Sequence, residues 1–186
     1  MSHTLAYPLL RTTDLEEVFA LADRLLVLTA PDTPRVTELR ADVSSWTEFR
    51  ELLAVVPDTT TGTSALTSVM APAEPLSQND ERTSVELRLP GPDRALEATR
   101  AALGVCDRLI AYWDHFAWPE VPELGLNRTW NYVGLQVSFH HDDINVESAW
   151  TPEHSLYIHT GEEERAHWLA ARVGARVIGE PQSNYY

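Results

Sequence analysis

The chain contains no lysine: all fourteen of its basic residues are arginine. Codon usage is the first explanation, and the chemical consequence is the same whatever the cause. Neither a Schiff-base lysine nor a phosphate-loop lysine is available. Cysteine is nearly as scarce, with Cys106 the single thiol. One thiol closes no internal disulfide and builds no metal site by itself, which points to a reducing cytoplasm. No apolar run reaches the roughly 18 residues of a membrane span. The N-terminal MSHTLAYPLLRTTDLEE has no basic start ahead of its short apolar patch, so neither a secretory signal nor a membrane partner is expected. GxGxxG, the P-loop, the GxSxG elbow, HExxH and CxxC are missing as well. No motif is specific enough to suggest a family.

What remains is an ordinary globular composition with a strong sign of charge. The 186 residues make one domain at about 150 residues per domain. A chain of this size buries roughly 70% of its unfolded surface and needs no disulfide staple. Twenty-eight acids against fourteen bases leave a net charge of −14. The two halves carry equal shares, but the window from Leu109 to Glu164 holds ten acids, nine aromatics and one base, Arg128. Such a field repels nucleic acid and speeds association with a basic protein.

Hydrophobic spacing outlines the elements. Thr13-Asp-Leu-Glu16 reads as a capping box opening a helix over about 14–26, with Leu15, Val18, Phe19, Ala22, Leu25 and Leu26 as its stripe. Residues 35–43 suggest a strand, and Ser45-Trp-Thr-Glu48 a second capping box with a helix to about Val55. Residues 57–82, rich in Pro, Thr, Ser and Ala, read as a long loop. Ser84–Leu89 alternates as a strand. Leu96, Thr99, Leu103, Cys106, Ile110 and Trp113 recur at steps of three and four and predict one long helix over about 93–114. Residues 130–140 alternate, and a turn at Asp142-Asp143 makes a hairpin with 144–150, pairing Phe139 with Val146 and Leu135 with Trp150. Residues 155–159 form an optional further strand. Thr160-Gly-Glu-Glu163 is a third capping box, its helix stopping at Gly174, and 175–178 is a short last strand before a loose tail over 180–186.

The expected fold is therefore α+β in a single domain. Residues 83–179 follow the ferredoxin-like order β-α-β-β-α-β, and residues 1–56 add an α-β-α extension. Gln136, Ser138, His140, Asn145 and Glu147 would then lie on a polar sheet face.

Candidate chemistry centres on His140-His141-Asp142-Asp143. Imidazole and carboxylate ligate zinc or iron, but neighbouring strand residues point to opposite faces, so no metal and no cofactor is assigned. His140 and Glu147 lie near a diagonal of the expected hairpin, where they could act as an acid–base pair with His159 nearby. Trp118, in a loop stiffened by Pro119 and Pro122, is the indole best placed to be exposed. With Tyr132, Asp142, Asp143 and Glu147 it makes the candidate binding set. Glu162-Glu163-Glu164 looks like an acidic recognition patch, and equally complements a helix dipole. The leading expectation is a non-enzymatic, acidic, cytoplasmic binding protein that docks a more basic protein, in the manner of an inhibitor or immunity-type protein. The alternative is a small hydrolase or isomerase using His140 and Glu147 on an open sheet face, with or without a metal.

Overall fold

A computed structural model describes residues 4–30, 36–56, 83–89, 95–130, 133–145 and 147–184. The long loop expected over 57–82, Tyr132 and Val146 lie outside the described residues. The fold is α+β, and the described residues form seven strands and four α-helices. The chain divides into two compact units, one made of residues 1–35 and 113–186, the other of residues 36–112.

The first unit begins with β1 (Thr4–Thr12) and α1 (Leu15–Val27) and resumes with the end of β4 (Leu109–Asp114). It continues through β5 (Gly134–Phe139), β6 (His154–Thr160), α4 (Glu163–Arg172) and β7 (Gln182–Asn184). Its strands run in the order β5-β6-β1-β7, every neighbouring pair antiparallel. The apolar stripe of α1 is buried as its spacing predicts: Val18, Phe19, Ala22, Leu25 and Leu26 are all in the core. Phe19 meets Trp113 edge-on at 5.9 Å and stacks on Phe139 at 6.0 Å. The cap lies one residue later than expected, because the Asp14 carboxylate rather than the Thr13 hydroxyl accepts the Glu16 and Glu17 N–H groups, at 2.9 and 3.3 Å.

The second unit contains β2 (Val36–Val43), α2 (Trp46–Val55), β3 (Thr83–Leu89), α3 (Ala95–Leu103) and the first part of β4. Its strand order is β3-β2-β4. β2 and β3 pair antiparallel with Leu39 opposite Leu87 and Ala41 opposite Val85, all four buried. The other face carries Glu38 between Arg40 and Arg88, at 3.3 and 3.1 Å. Ser45 caps α2 as expected, accepting the Glu48 N–H at 3.1 Å.

Four expectations are corrected. The ferredoxin-like order is not found: residues 83–179 run β-α-β-β-β-α, and the extension runs β-α-β-α. β1 was hidden by Pro8 and by a register shift between Pro8 and Leu10, which break the two-residue period. The single long helix over 93–114 is instead α3 followed by β4. The chain tightens where the Gly104 N–H bonds Ala101 O and the Val105 N–H bonds Ala102 O, and the run Ile110-Ala-Tyr-Trp, with its β-branched and aromatic residues, then extends. In β4, Leu109, Ala111 and Trp113 are buried in strict alternation. Finally, 175–178 is not a strand. The Ile178 N–H bonds Pro8 O at 2.9 Å, and it is residues 182–184 in the expected tail that pair with β1.

The hairpin is also re-registered. β5 pairs with β6, placing His154 opposite Phe139 and Ile158 opposite Leu135. The intervening residues cannot form a ladder because Asp143 takes their donors. Its Oδ1 accepts the N–H of Asn145 at 2.9 Å and of Glu147 at 3.0 Å, and its Oδ2 accepts that of Ser148. Partial burial pulls the Asp143 carboxyl upward, but the bonds from Ser148, Glu147 and Asn145 outweigh it and its pKa falls below the usual value. Asp143→Ala is expected to cost about 2 kcal/mol in urea unfolding at neutral pH. A carboxyl whose pKa is lower folded than unfolded stabilises above the unfolded value of about 3.9. The difference between Asp143→Ala and the parent should therefore shrink as pH falls through the depressed folded pKa.

Candidate functional site

Residues 140–145 and 147–151 lie in loop segments whose polar groups bond mainly to one another. His140 holds a left-handed backbone, φ 60°, and its ring stacks parallel on Trp150 with centroids 5.1 Å apart. Its Nδ1 lies 3.1 Å from Thr151 O, and since a carbonyl only accepts, that nitrogen carries the hydrogen. The buried His141 ring likewise donates from Nδ1 to Ser148 O at 3.1 Å. Asp142 pairs with Arg11 across 3.7 Å, both partly exposed. Glu147 is exposed, with its backbone N–H on Asp143.

The expected polar sheet face exists on β5 and β6, but it is closed. His159 donates from Nε2 to Gln136 Oε1 at 3.1 Å, and Gln136 donates to Ser138 Oγ and Ile144 O. The Ile144 N–H bonds Gln182 Oε1, and Gln182 reaches back to Asp142 O. Tyr157 is fully buried beside Ile144, and burial above all raises its phenol to about 12. This layer fastens the loop and the C-terminal strand to the sheet and leaves His159 bonded to Gln136.

No direct hydrogen bond or ion pair joins His140 to Glu147 among the described residues; the His140 ring bonds Thr151 O and the Glu147 N–H bonds Asp143. Nor do those residues hold a group of three or more His, Cys, Asp or Glu side chains able to grip a metal. The neighbour of His140 is His154, 4.8 Å away ring to ring and 5% exposed. Burial, then the charge of His140, lowers the His154 pKa to about 4 against a smaller opposing pull from Asp14.

Trp118 corrects another expectation. It is 0% exposed, stacks edge-on against Phe116 at 4.8 Å and donates its indole N–H to His159 O at 2.9 Å. Backbone bridges join Trp118 to Thr129 and Val121 to Leu126. The tip at Pro122–Leu124 is a 3-10 turn closed by Gly125, whose φ of 67° suits glycine. The exposed indoles are Trp150 at 59% and Trp130 at 53%, the latter under the Arg128 guanidinium at 4.5 Å.

One buried cation fastens this loop to α4. Arg165 is fully buried; its Nε donates to Glu162 at 3.1 Å, its Nη2 to Asn127 O at 2.6 Å and its Nη1 to Pro119 O. The third capping box is corrected by the same contacts. Thr160 Oγ1 accepts the Glu162 N–H, and the Glu162 carboxylate turns to Arg165 and to the Thr160 hydroxyl.

Between the loop tip and α4 lies an open groove of about 570 Å³, lined by Leu124, Glu163, Glu164, His167 and Trp168. Trp168 is fixed from outside the groove. Its indole N–H donates to Glu123 Oε1 at 2.6 Å, and the Arg172 guanidinium covers the ring at 4.7 Å while bonding the same oxygen at 3.3 Å. The bonds from its own backbone, Trp168 and Arg172 hold the Glu123 carboxyl below its usual pKa. Glu163 lies 3.6 Å from His167. Their negative field reaches inward: burial first, then Glu163, Glu164 and Glu162, raises the Tyr7 phenol.

Sequence reasoning picked out the acids at 162–164 but missed Trp168, His167, Glu123 and Leu124. The available signal was the i, i+4 row Glu164-Trp168-Arg172 on one helix face. In comparisons with known proteins, no family model, no curated protein and no solved structure matches the chain.

Two outcomes test this geometry. Arg165→Leu strands two carbonyl oxygens and is expected to cost about 3 kcal/mol in chemical denaturation. For His154, an unfolded pKa near 6.5 and a folded value near 4 mean that the unfolded chain takes up the proton first. Stability should thus fall by up to about 3 kcal/mol between pH 6.5 and 4. His154→Phe should flatten that part of the profile, and an unchanged slope would refute the assignment.

Proposed function

We propose that this chain is a non-enzymatic cytoplasmic protein that binds a more basic protein, as an inhibitor or immunity-type protein binds the enzyme it blocks. The observation that carries the reading is the groove at α4. Its lining combines the apolar Leu124 and Trp168 with the carboxylates of Glu163 and Glu164 and the imidazole of His167. An aromatic anchor held rigid before binding loses little entropy on contact, and carboxylates beside it select a partner of opposite sign. The net charge of −14 supports the same sign of partner at long range. No helix among the described residues is long and apolar enough to cross a membrane. The hydrolase or isomerase alternative drew on a His140–Glu147 pair, and the separate bonding of these residues gives it no support.

The test compares the parent chain with the double variant Glu163→Gln/Glu164→Gln as baits in extracts of the source cell at moderate salt. The expected result is one stoichiometric protein of basic isoelectric point, at least tenfold depleted on the variant and weakened by added salt. Failure of the parent to retain a stoichiometric protein, or equal retention by the variant, would overturn the proposal.

A further inference from the structure

The groove shows which basic side chain its chemistry suits, and the inference rests on the reading of this face as a docking surface. We infer that the groove seats an arginine of the partner, its guanidinium lying against the Trp168 indole and paired with the carboxylate of Glu164. The molecule already contains one such arrangement. Arg172 lies 4.7 Å over the Trp168 ring and bonds Glu123, which in turn accepts the indole N–H. A planar cation, an indole and a carboxylate thus satisfy one another at this ring, and neither Arg172 nor Glu123 lines the groove.

The groove offers the same three-part chemistry with the cation missing. Glu164, Trp168 and Arg172 stand four residues apart along α4, so Trp168 has Arg172 on its C-terminal side and Glu164 on its N-terminal side. Arg172 is not among the groove residues, whereas Glu164 and Trp168 are. Glu163 has a neighbour in His167 at 3.6 Å, which leaves Glu164 the readier acceptor. Leu124, 44% exposed, supplies an apolar wall for the methylene stem of a long side chain. Charge complementarity favours any cation, but the indole face favours a guanidinium. That group is planar, weakly hydrated and able both to stack and to bond in its own plane, whereas an ammonium is a compact, strongly hydrated charge.

The test titrates the full chain with blocked hexa-arginine and hexa-lysine peptides at equal ionic strength, by calorimetry. Hexa-arginine is expected to bind about fivefold tighter, the equivalent of about 1 kcal/mol of stacking. That preference should disappear in Trp168→Leu, while Glu164→Gln should weaken both peptides. The Trp168 indole N–H resonance of the parent chain is a second readout that does not require the variant to fold, and it should move with hexa-arginine far more than with hexa-lysine. Equal affinities with an unmoved indole signal would overturn the arginine seat. If both peptides then weaken together in Glu163→Gln/Glu164→Gln, the acidic docking face stands without it. Absence of any hexa-arginine binding to the parent also overturns the seat, and capture of the partner from extract decides the docking face separately.

Discussion

A guanidinium removed from water must recover its hydration from the protein, and Arg165 does so with two main-chain oxygens and a carboxylate. The cost of burying that charge unpaired is several kcal/mol, so Pro119, Asn127 and Glu162 are held at fixed positions around it. Once those positions are set, the loop from Phe116 to Trp130 has little freedom. Its indole at Trp118 packs inward onto β6, and its tip at Pro122–Leu124 comes to stand beside α4. The groove exists because the tip is held there. Glu123 then bonds both Trp168 and Arg172 from the loop side, which locks the aromatic wall.

A second constraint of the same kind shapes residues 140–145 and 147–151. The Asp143 carboxylate satisfies three backbone donors that a strand would otherwise use, and the chain curls back over β5 and β6. A face that alternation marks as polar is thereby enclosed. Its glutamine and histidine, Gln136 and His159, bond to each other and to the covering backbone, as buried polar groups must. The left-handed backbone of His140 accompanies this closure, with its ring stacked on Trp150 and at a T-shaped angle to His154. Three imidazoles are held by hydrogen bonds, His140 to Thr151 O, His141 to Ser148 O and His159 to Gln136.

The charge of the Leu109–Glu164 window is redistributed by the same contacts. Asp142 faces Arg11 and Glu123 faces Arg172, arginines remote in sequence, while Glu162 faces Arg165 only three residues on, so acids that seem unopposed within the window gain partners from outside it. Glu163 and Glu164 are among the acids of this window that stay exposed, and they are the two that line the groove. The aromatics divide in the same way, with Trp113, Phe116, Trp118 and Phe139 in the core and Trp130 and Trp150 at the surface.

The sequence alone specified what depends on near neighbours. The stripe of α1, the cap of α2 and the alternation of β3 and of β5 were all readable, because periodicity and capping are set within a few residues. Its acidity and its lone thiol were readable for the same reason. Other features waited on tertiary structure, since each is decided by a partner far along the chain. β1 needed β6 to reveal it, β4 needed β2 to compete with a helical spacing that fitted equally well, and Trp118 needed the carbonyl of His159. The groove required Arg165 to bring Leu124 beside Trp168, a juxtaposition of residues 44 positions apart that no local pattern encodes.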